Sequence, residues 1–149
     1  MTDYLELPVD KFVFKVALDR FYSDEGIWVK LEDQFARVGI SDYLQQRSGD
    51  VAFAEIKPEG SVVDFGDELA VIETIKVNIS LTSPIKGNVI QVNSLMETSP
   101  EVINQDPYGA GWLILIDVKD WKKNLEHLLD AQSYFSLIKR EAEQEVNKE

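Results

Sequence analysis

Residues 73–80 read ETIKVNIS. One lysine, Lys76, stands between Ile75 and Val77 in a run rich in β-branched residues. Such residues favour strands, where branched side chains fit a pleated, half-buried surface. The spacing on either side explains the cation. Gly66 lies ten residues before Lys76 and Gly87 eleven after it. Two strands of similar length therefore run up to the lysine and away from it. The geometry predicts a β-hairpin with Lys76 at its bend, projecting into solvent and open to a modifying enzyme. A plain solvated turn lysine fits this spacing as well, since turns lie at the surface.

Outward from the bend the chain continues as short strands broken by Gly, Pro, Asp and Asn. Upstream, VAFAEI at 51–56 is followed by the turn Lys57-Pro58-Glu59-Gly60, in which proline presets φ and glycine accepts φ > 0. SVVDF and LAVIETI come next. Downstream, VNISLTS leads to the turn Pro84-Ile85-Lys86-Gly87, then NVIQVN, and WLILIDV reads as the last strand. Near the start, Phe12–Tyr22 reads as one strand, and residues 27–31 and 35–40 as a hairpin around Glu32-Asp33-Gln34. Ser41 and Asp42 can cap a short helix over 43–47, which Gly49 ends. Residues 97–111 are loop-rich, with one helical turn after Ser99-Pro100. From Asp120 the apolar spacing becomes helical, predicting helices near 120–129 and 131–144 and a frayed tail at 147–149. Regular short strands and turns predict a mainly β sandwich or barrel. Residues 1–119 are read as a β domain with an N-terminal extension, and 120–149 as helices packed on it.

Composition narrows the function. The 149 residues carry 15 Lys and Arg against 27 Asp and Glu, a net charge of −12. That field repels phosphate backbones and anionic lipid heads, which argues against nucleic-acid or membrane-surface partners and suits partners with basic faces. There is no cysteine. Disulfides, thiolate metal sites and a cysteine nucleophile are thereby excluded, and any sulfur chemistry needs an attached group. No apolar run approaches the roughly 18 residues of a membrane span. The start, MTDYLELPVDKF, has no basic region followed by an apolar stretch, so a cytoplasmic location is expected. The single histidine, His127, sits among leucines, with no Ser/His/Asp set and no metal-ligand spacing. An independent enzyme is not indicated. Trp28 and Trp112 read as core aromatics.

The segment from Phe65 to Ile116 resembles the H protein of the glycine cleavage system, a lipoyl-carrier family. Gly66-Asp67, Glu73-Thr74-Ile75-Lys76, Ser83-Pro84 and Gly87 stand in step with that family's Gly-Asp step, its Glu-Ser-Val-Lys motif and the Pro and Gly beyond it. Val92-Asn93, Ser99-Pro100-Glu101, Asn104, Pro107-Tyr108 and Gly111-Trp112 match as well. The likeness runs from about Tyr22 to Ile138. The lysine motif alone occurs in any lipoyl or biotinyl domain, whereas Asn-x-x-Pro-Tyr-x-x-Gly-Trp is particular to the H family.

The resemblance implies a flattened β-sandwich, or barrel-sandwich hybrid, of the lipoyl/biotinyl type, with a short helix and C-terminal helices. It implies a carrier rather than an enzyme, with lipoate attached covalently at Lys76. It assigns Glu73, three positions earlier, to recognition by the lipoylating enzyme, a lipoate ligase or lipoyltransferase. The implied arm takes an aminomethyl group from a pyridoxal-phosphate glycine decarboxylase to a tetrahydrofolate-dependent aminomethyltransferase. A dihydrolipoamide dehydrogenase then reoxidises it. The chain departs from the family at Gly26-Ile27, where members carry His-Glu before Trp28, and at Thr74, Ile75 and Val77 around the lysine. Ile27 is expected to make the arm's resting surface more apolar, with Asp24 or Glu25 as substitutes for the lost carboxylate. These departures bring in a second reading: a divergent H-like lipoate-binding protein carrying sulfur intermediates for a heterodisulfide-reductase-like complex. A non-lipoylated scaffold is a third, opposed by Glu73, Lys76 and Gly87.

Overall fold

The computed structural model describes residues 2–147. An antiparallel ribbon, β1 (Tyr4–Val9) and β2 (Phe12–Ala17), comes first. After β3 (Phe21–Tyr22), the hairpin β4 (Ile27–Glu32) and β5 (Phe35–Ile40) turns at Asp33-Gln34, with Asp33 at φ 58°. Helix α1 (Asp42–Ser48) is capped by the Ser41 hydroxyl, which accepts from the Leu44 amide at 3.1 Å. Strands β6 (Val51–Ile56), β7 (Val62–Val63), β8 (Glu68–Thr74), β9 (Asn78–Thr82) and β10 (Gly87–Val92) follow. Two short helices, α2 (Leu95–Thr98) and α3 (Val102–Gln105), precede β11 (Ile114–Val118). Helices α4 (Trp121–Leu125) and α5 (Ala131–Asn147) close the chain.

The expected mainly β architecture holds, and its sheets stay open rather than closing into a barrel. One sheet has six strands in the order β3-β4-β5-β11-β10-β7, the other three in the order β6-β8-β9. They share one core. Ile27, Val38 and Ile116 of the larger sheet pack with Ala54, Ile72 and Leu81 of the smaller. Each fully buried Val, Leu or Ile side chain among them contributes about 1.5–3 kcal/mol.

A second core lies outside the sandwich and is mostly aromatic. Tyr22 stacks on Tyr134 of α5 at 4.4 Å, and the Tyr134 hydroxyl lies 2.7 Å from that of Ser41. Burial pushes both phenols far above their ordinary range, so they remain hydrogen-bonding neutral groups. The Trp28 indole donates to the Pro107 carbonyl at 3.0 Å and carries the Arg20 guanidinium 4.5 Å from its ring. This core seats the ribbon and α5 on the sandwich through Leu7, Phe14 and Ile138.

Several elements differ from their sequence reading. The single strand expected over 12–22 is two, because Arg20 is only 5% exposed and the chain must turn to bring it over Trp28. Strand β1, with Pro8 in it, was not expected at all. It pairs only with β2, and such an edge tolerates a residue without an amide hydrogen. The helical turn expected after Ser99-Pro100 is present as α3, whereas α2, over Leu95–Thr98, has no counterpart in the sequence reading. The last strand begins at Ile114, since the Asn93 side-chain amide clamps the Ala110 and Trp112 carbonyls just before it. Helix α4 stops at Leu125, as Leu129 exchanges backbone hydrogen bonds with Tyr22. Of the frayed tail expected at 147–149, Asn147 closes α5 and the last two residues lie outside the described ones.

Gly39 shows how close the packing is. A Cβ there would stand 2.6 Å from Cζ2 of Trp28. Gly39→Ala is therefore expected to cost about 1–3 kcal/mol, read as a lowered urea midpoint with an unchanged slope.

Candidate functional site

The site begins with the register of two strands. Strands β8 and β9 pair antiparallel from Glu68↔Thr82 to Glu73↔Asn78, which leaves Thr74 to Val77 to make the bend. The Thr74 amide donates to the Val77 carbonyl at 2.9 Å. The Thr74 hydroxyl oxygen accepts from the amides of Lys76 (3.2 Å) and Val77 (3.0 Å). A hydroxyl bonding the backbone two residues on is a known turn former. The same hydroxyl lies 2.8 Å from the Ser48 carbonyl and 2.9 Å from that of Val77, either of which can take its proton. In the sequence Thr74 stands out only as a departure from the family's serine. Its place two residues before the lysine was the signal for this turn.

The bend leans on the segment after α1. The Ile75 amide donates to the Asp50 carbonyl at 3.1 Å. Gly49 takes φ 93°, a conformation that side chains rarely adopt. The Lys76 stem passes over it, with Cδ and Cε 3.4 Å from where a Cβ would sit. Asn104 of α3 holds this support in place. Its side-chain amide donates to the Gly49 carbonyl and to Gln45 Oε1, both at 3.0 Å, and its oxygen accepts from the Val51 amide at 2.9 Å.

Lys76 stands exposed at the bend, and none of the ion pairs among the described residues uses its amine. Its neighbours Ile75 and Val77 are 74% and 51% exposed, so the lysine rises from an apolar rim. Glu73 is exposed on β8, opposite Asn78 on β9 and beside the exposed Phe53 of β6. No hydrogen bond among the described residues joins Glu73 to Lys76; the two share a hairpin end, not a contact. A free primary amine on a rigid bend fits a covalently attached acyl group. The chain has no cysteine, which excludes a thioester, and the exposed Lys76 amine offers a stable amide linkage.

Other candidates fall elsewhere. Ile27 is fully buried in the sandwich core, paired with Ile40. The expectation that it lines a surface is corrected: strand alternation sends its side chain inward. Gly26 instead borders a groove of about 610 Å³ with Asp24, Glu25, Tyr43 and Tyr134. Trp28 is fully buried, as expected of a core aromatic. His127 lies beyond the end of α4 and stacks on the exposed Phe65 at 4.0 Å.

Comparison with known proteins interprets this arrangement. The sequence model described as glycine cleavage H-protein matches residues 20–141. The chain belongs to the glycine cleavage H-protein family. It is 39% identical over 124 residues to the glycine cleavage system H protein of Thermus thermophilus, covering 83% of this chain and 96% of that one. Identity to the Coxiella burnetii glycine cleavage system H protein is 42% over 123 residues, 82% and 94% of the two chains. Glycine cleavage system H protein 4 of Aquifex aeolicus is 40% identical over 131 residues, 88% of this chain and 76% of the relative. The crystal structure of an H protein from Mycobacterium marinum aligns with a TM-score of 0.69 at 29% identity, covering 78% and 94%.

Family members carry lipoate covalently on a lysine, and the protein is a lipoyl carrier, not a catalyst. Nothing in these comparisons supports the sulfur-pathway carrier. Among the described residues no helix is long and apolar enough to cross a membrane.

Replacing Asn104 tests the support. Asn104→Ala removes three hydrogen bonds and strands the Gly49 carbonyl and the Val51 amide. A loss of about 2–3 kcal/mol is expected, together with faster amide hydrogen exchange at Val51 and Ile75.

Proposed function

We propose that Lys76 is the lysine that carries the lipoyl group, and that Glu73 is read by the lipoate ligase or lipoyltransferase that attaches it. The observation that carries this reading is the Lys76 amine, exposed on a bend closed by Thr74 and in no ion pair among the described residues. A ligase needs a nucleophilic amine at a fixed place, and the bend supplies one without unfolding. Glu73 gives that enzyme a charged landmark on the adjoining strand.

In this reading the protein serves glycine cleavage, working in the cytoplasm. It visits a pyridoxal-phosphate glycine decarboxylase, a tetrahydrofolate-dependent aminomethyltransferase and a dihydrolipoamide dehydrogenase in turn. The bound dithiolane supplies a reducible pair of sulfurs, which the protein body lacks. Everything else is positioning. The sandwich anchors the bend, and the bend sets where the arm begins. Tethering then holds the arm at about millimolar effective concentration in each partner's site. The β body over 1–119 and the helices over 120–149 act together as one carrier, because α5 backs the helix α1 on which the bend leans. A net charge of −12 favours docking on basic partner faces, with association that weakens as salt rises.

Lys76→Arg keeps the charge but removes the acylatable amine. Intact-mass measurement after incubation with a lipoylating enzyme should show the mass of one lipoyl group on the wild type and none on the variant. Circular dichroism should be unchanged. A lipoyl group on the arginine variant would move the attachment site elsewhere.

Glu73→Ala is expected to slow ligation by about two- to fivefold, the effect of losing one exposed charged contact worth up to about 1 kcal/mol. Stability should change by less than about 0.5 kcal/mol, as for other surface substitutions. Equal ligation rates would leave Glu73 an ordinary solvated carboxylate.

A further inference from the structure

A groove of about 280 Å³ opens beside the bend, and Lys76 itself forms part of its lining. That volume falls just below the roughly 300–1,000 Å³ usual for ligand pockets, enough for a short slender group. Val9, Asp10, Phe12 and Phe14 of the ribbon make one wall, and Ala142 of α5 adds to it. These five residues all lie outside residues 20–141, the part that the family's sequence model matches. Within the shared part, Gln46 and Arg47 of α1 contribute alongside the lysine. The wall is fixed in place. Phe14 meets Tyr43 edge-on at 4.9 Å, the Lys15 amide donates to Asp42 at 2.9 Å, and the Tyr108 hydroxyl donates to the Lys15 carbonyl at 2.7 Å. Arg47 and Glu145 form an ion pair across the groove's edge, which neutralises both charges there.

We propose that this ribbon-walled groove is a resting site for the lipoyl arm of Lys76 in its unloaded disulfide form. The inference rests on Lys76 as the attachment point. The arm is a short hydrocarbon chain ending in an apolar dithiolane. Left in water it would expose that surface, and apolar surface moves favourably out of water when a wall is within reach. The stem already lies over Gly49, directly after the helix that bears Gln46 and Arg47. Phe12 and Phe14 stack at 5.9 Å and offer aromatic faces and edges, which divalent sulfur favours. Phe12 is 43% exposed, with the Lys11 ammonium 5.6 Å from its ring centre. The ribbon thus shields the disulfide from small thiols until a partner enzyme draws the arm out.

The experiment uses the full chain, lipoylated, with attachment at Lys76 established by peptide mass. Dithiothreitol reduces the arm's disulfide to two thiols and is itself oxidised to the cyclic disulfide, so the rate reports access. An arm resting about 90% of the time should be reduced about tenfold more slowly than free lipoamide, because only the open fraction reacts. Phe12→Ser and Val9→Ser should recover most of that difference while near-UV dichroism stays native. A second measurement needs no variant: lipoyl methylene protons should show through-space NMR contacts with the Phe12 and Phe14 rings. Reduction at the free-lipoamide rate with no such contacts overturns the resting site and leaves the lipoyl-carrier reading intact. Absence of lipoate from Lys76 overturns both.

Discussion

One threonine hydroxyl closes the bend on which Lys76 stands. Thr74 receives two amides of the bend and reaches the Ser48 carbonyl on the neighbouring segment. A lysine between two β-branched residues would otherwise sit on the face of a longer strand. The hydroxyl breaks the pairing after Glu73 and restarts it at Asn78, so the amine is raised off the sheet. The bend's rigidity then comes from its neighbours: Asp50 holds Ile75, and Asn104 holds the backbone on either side of Asp50. A carrier needs this division, with a fixed base and a mobile arm. Tethering helps only when the anchor does not wander.

The two cores serve different ends. The aliphatic core between the sheets sets the hairpin's direction, since Ile72 and Leu81 bury the inner face of β8 and β9. The aromatic core positions everything around the bend. Through Tyr22, Trp28 and Tyr134 it brings α5 and the ribbon against α1, the helix whose C-terminal end supports the lysine. Arg20 is the notable member. Its guanidinium is buried, yet it bonds Asp19 and the Tyr108 carbonyl and faces two rings. A buried cation with its donors satisfied specifies one arrangement, because an unpaired one would be costly.

The outer surface suits an acidic shuttle. Acidic residues outnumber basic ones across the chain, whereas the bend itself presents Ile75 and Val77. An apolar tip within an acidic field gives a partner two cues: long-range attraction for a basic face, then a small desolvated contact at the lysine. The substitution of Ile for the family's glutamate before Trp28 does not alter this surface, because position 27 belongs to the core.

Much of this was legible in the chain. The Gly66 and Gly87 spacing about Lys76 located the bend, since turns need glycine where strands end. Ser41 and Gly49 marked both ends of α1 through capping chemistry, and short apolar runs bounded by turn residues marked β4 to β6 and β8 to β10. What stayed illegible depended on partners distant in sequence. Arg20 buried over Trp28, Leu129 bridged to Tyr22, and Asn104 tied to Gly49 are contacts that no local period encodes. The inward direction of Ile27 was a matter of strand register, which one residue of slip reverses. Sequence alone determined that a lysine stands at a hairpin bend in a β sandwich, because spacing and turn chemistry are local. Only the tertiary structure decided what surrounds that lysine, because the ribbon, α1 and α5 meet there through an aromatic core drawn from both ends of the chain.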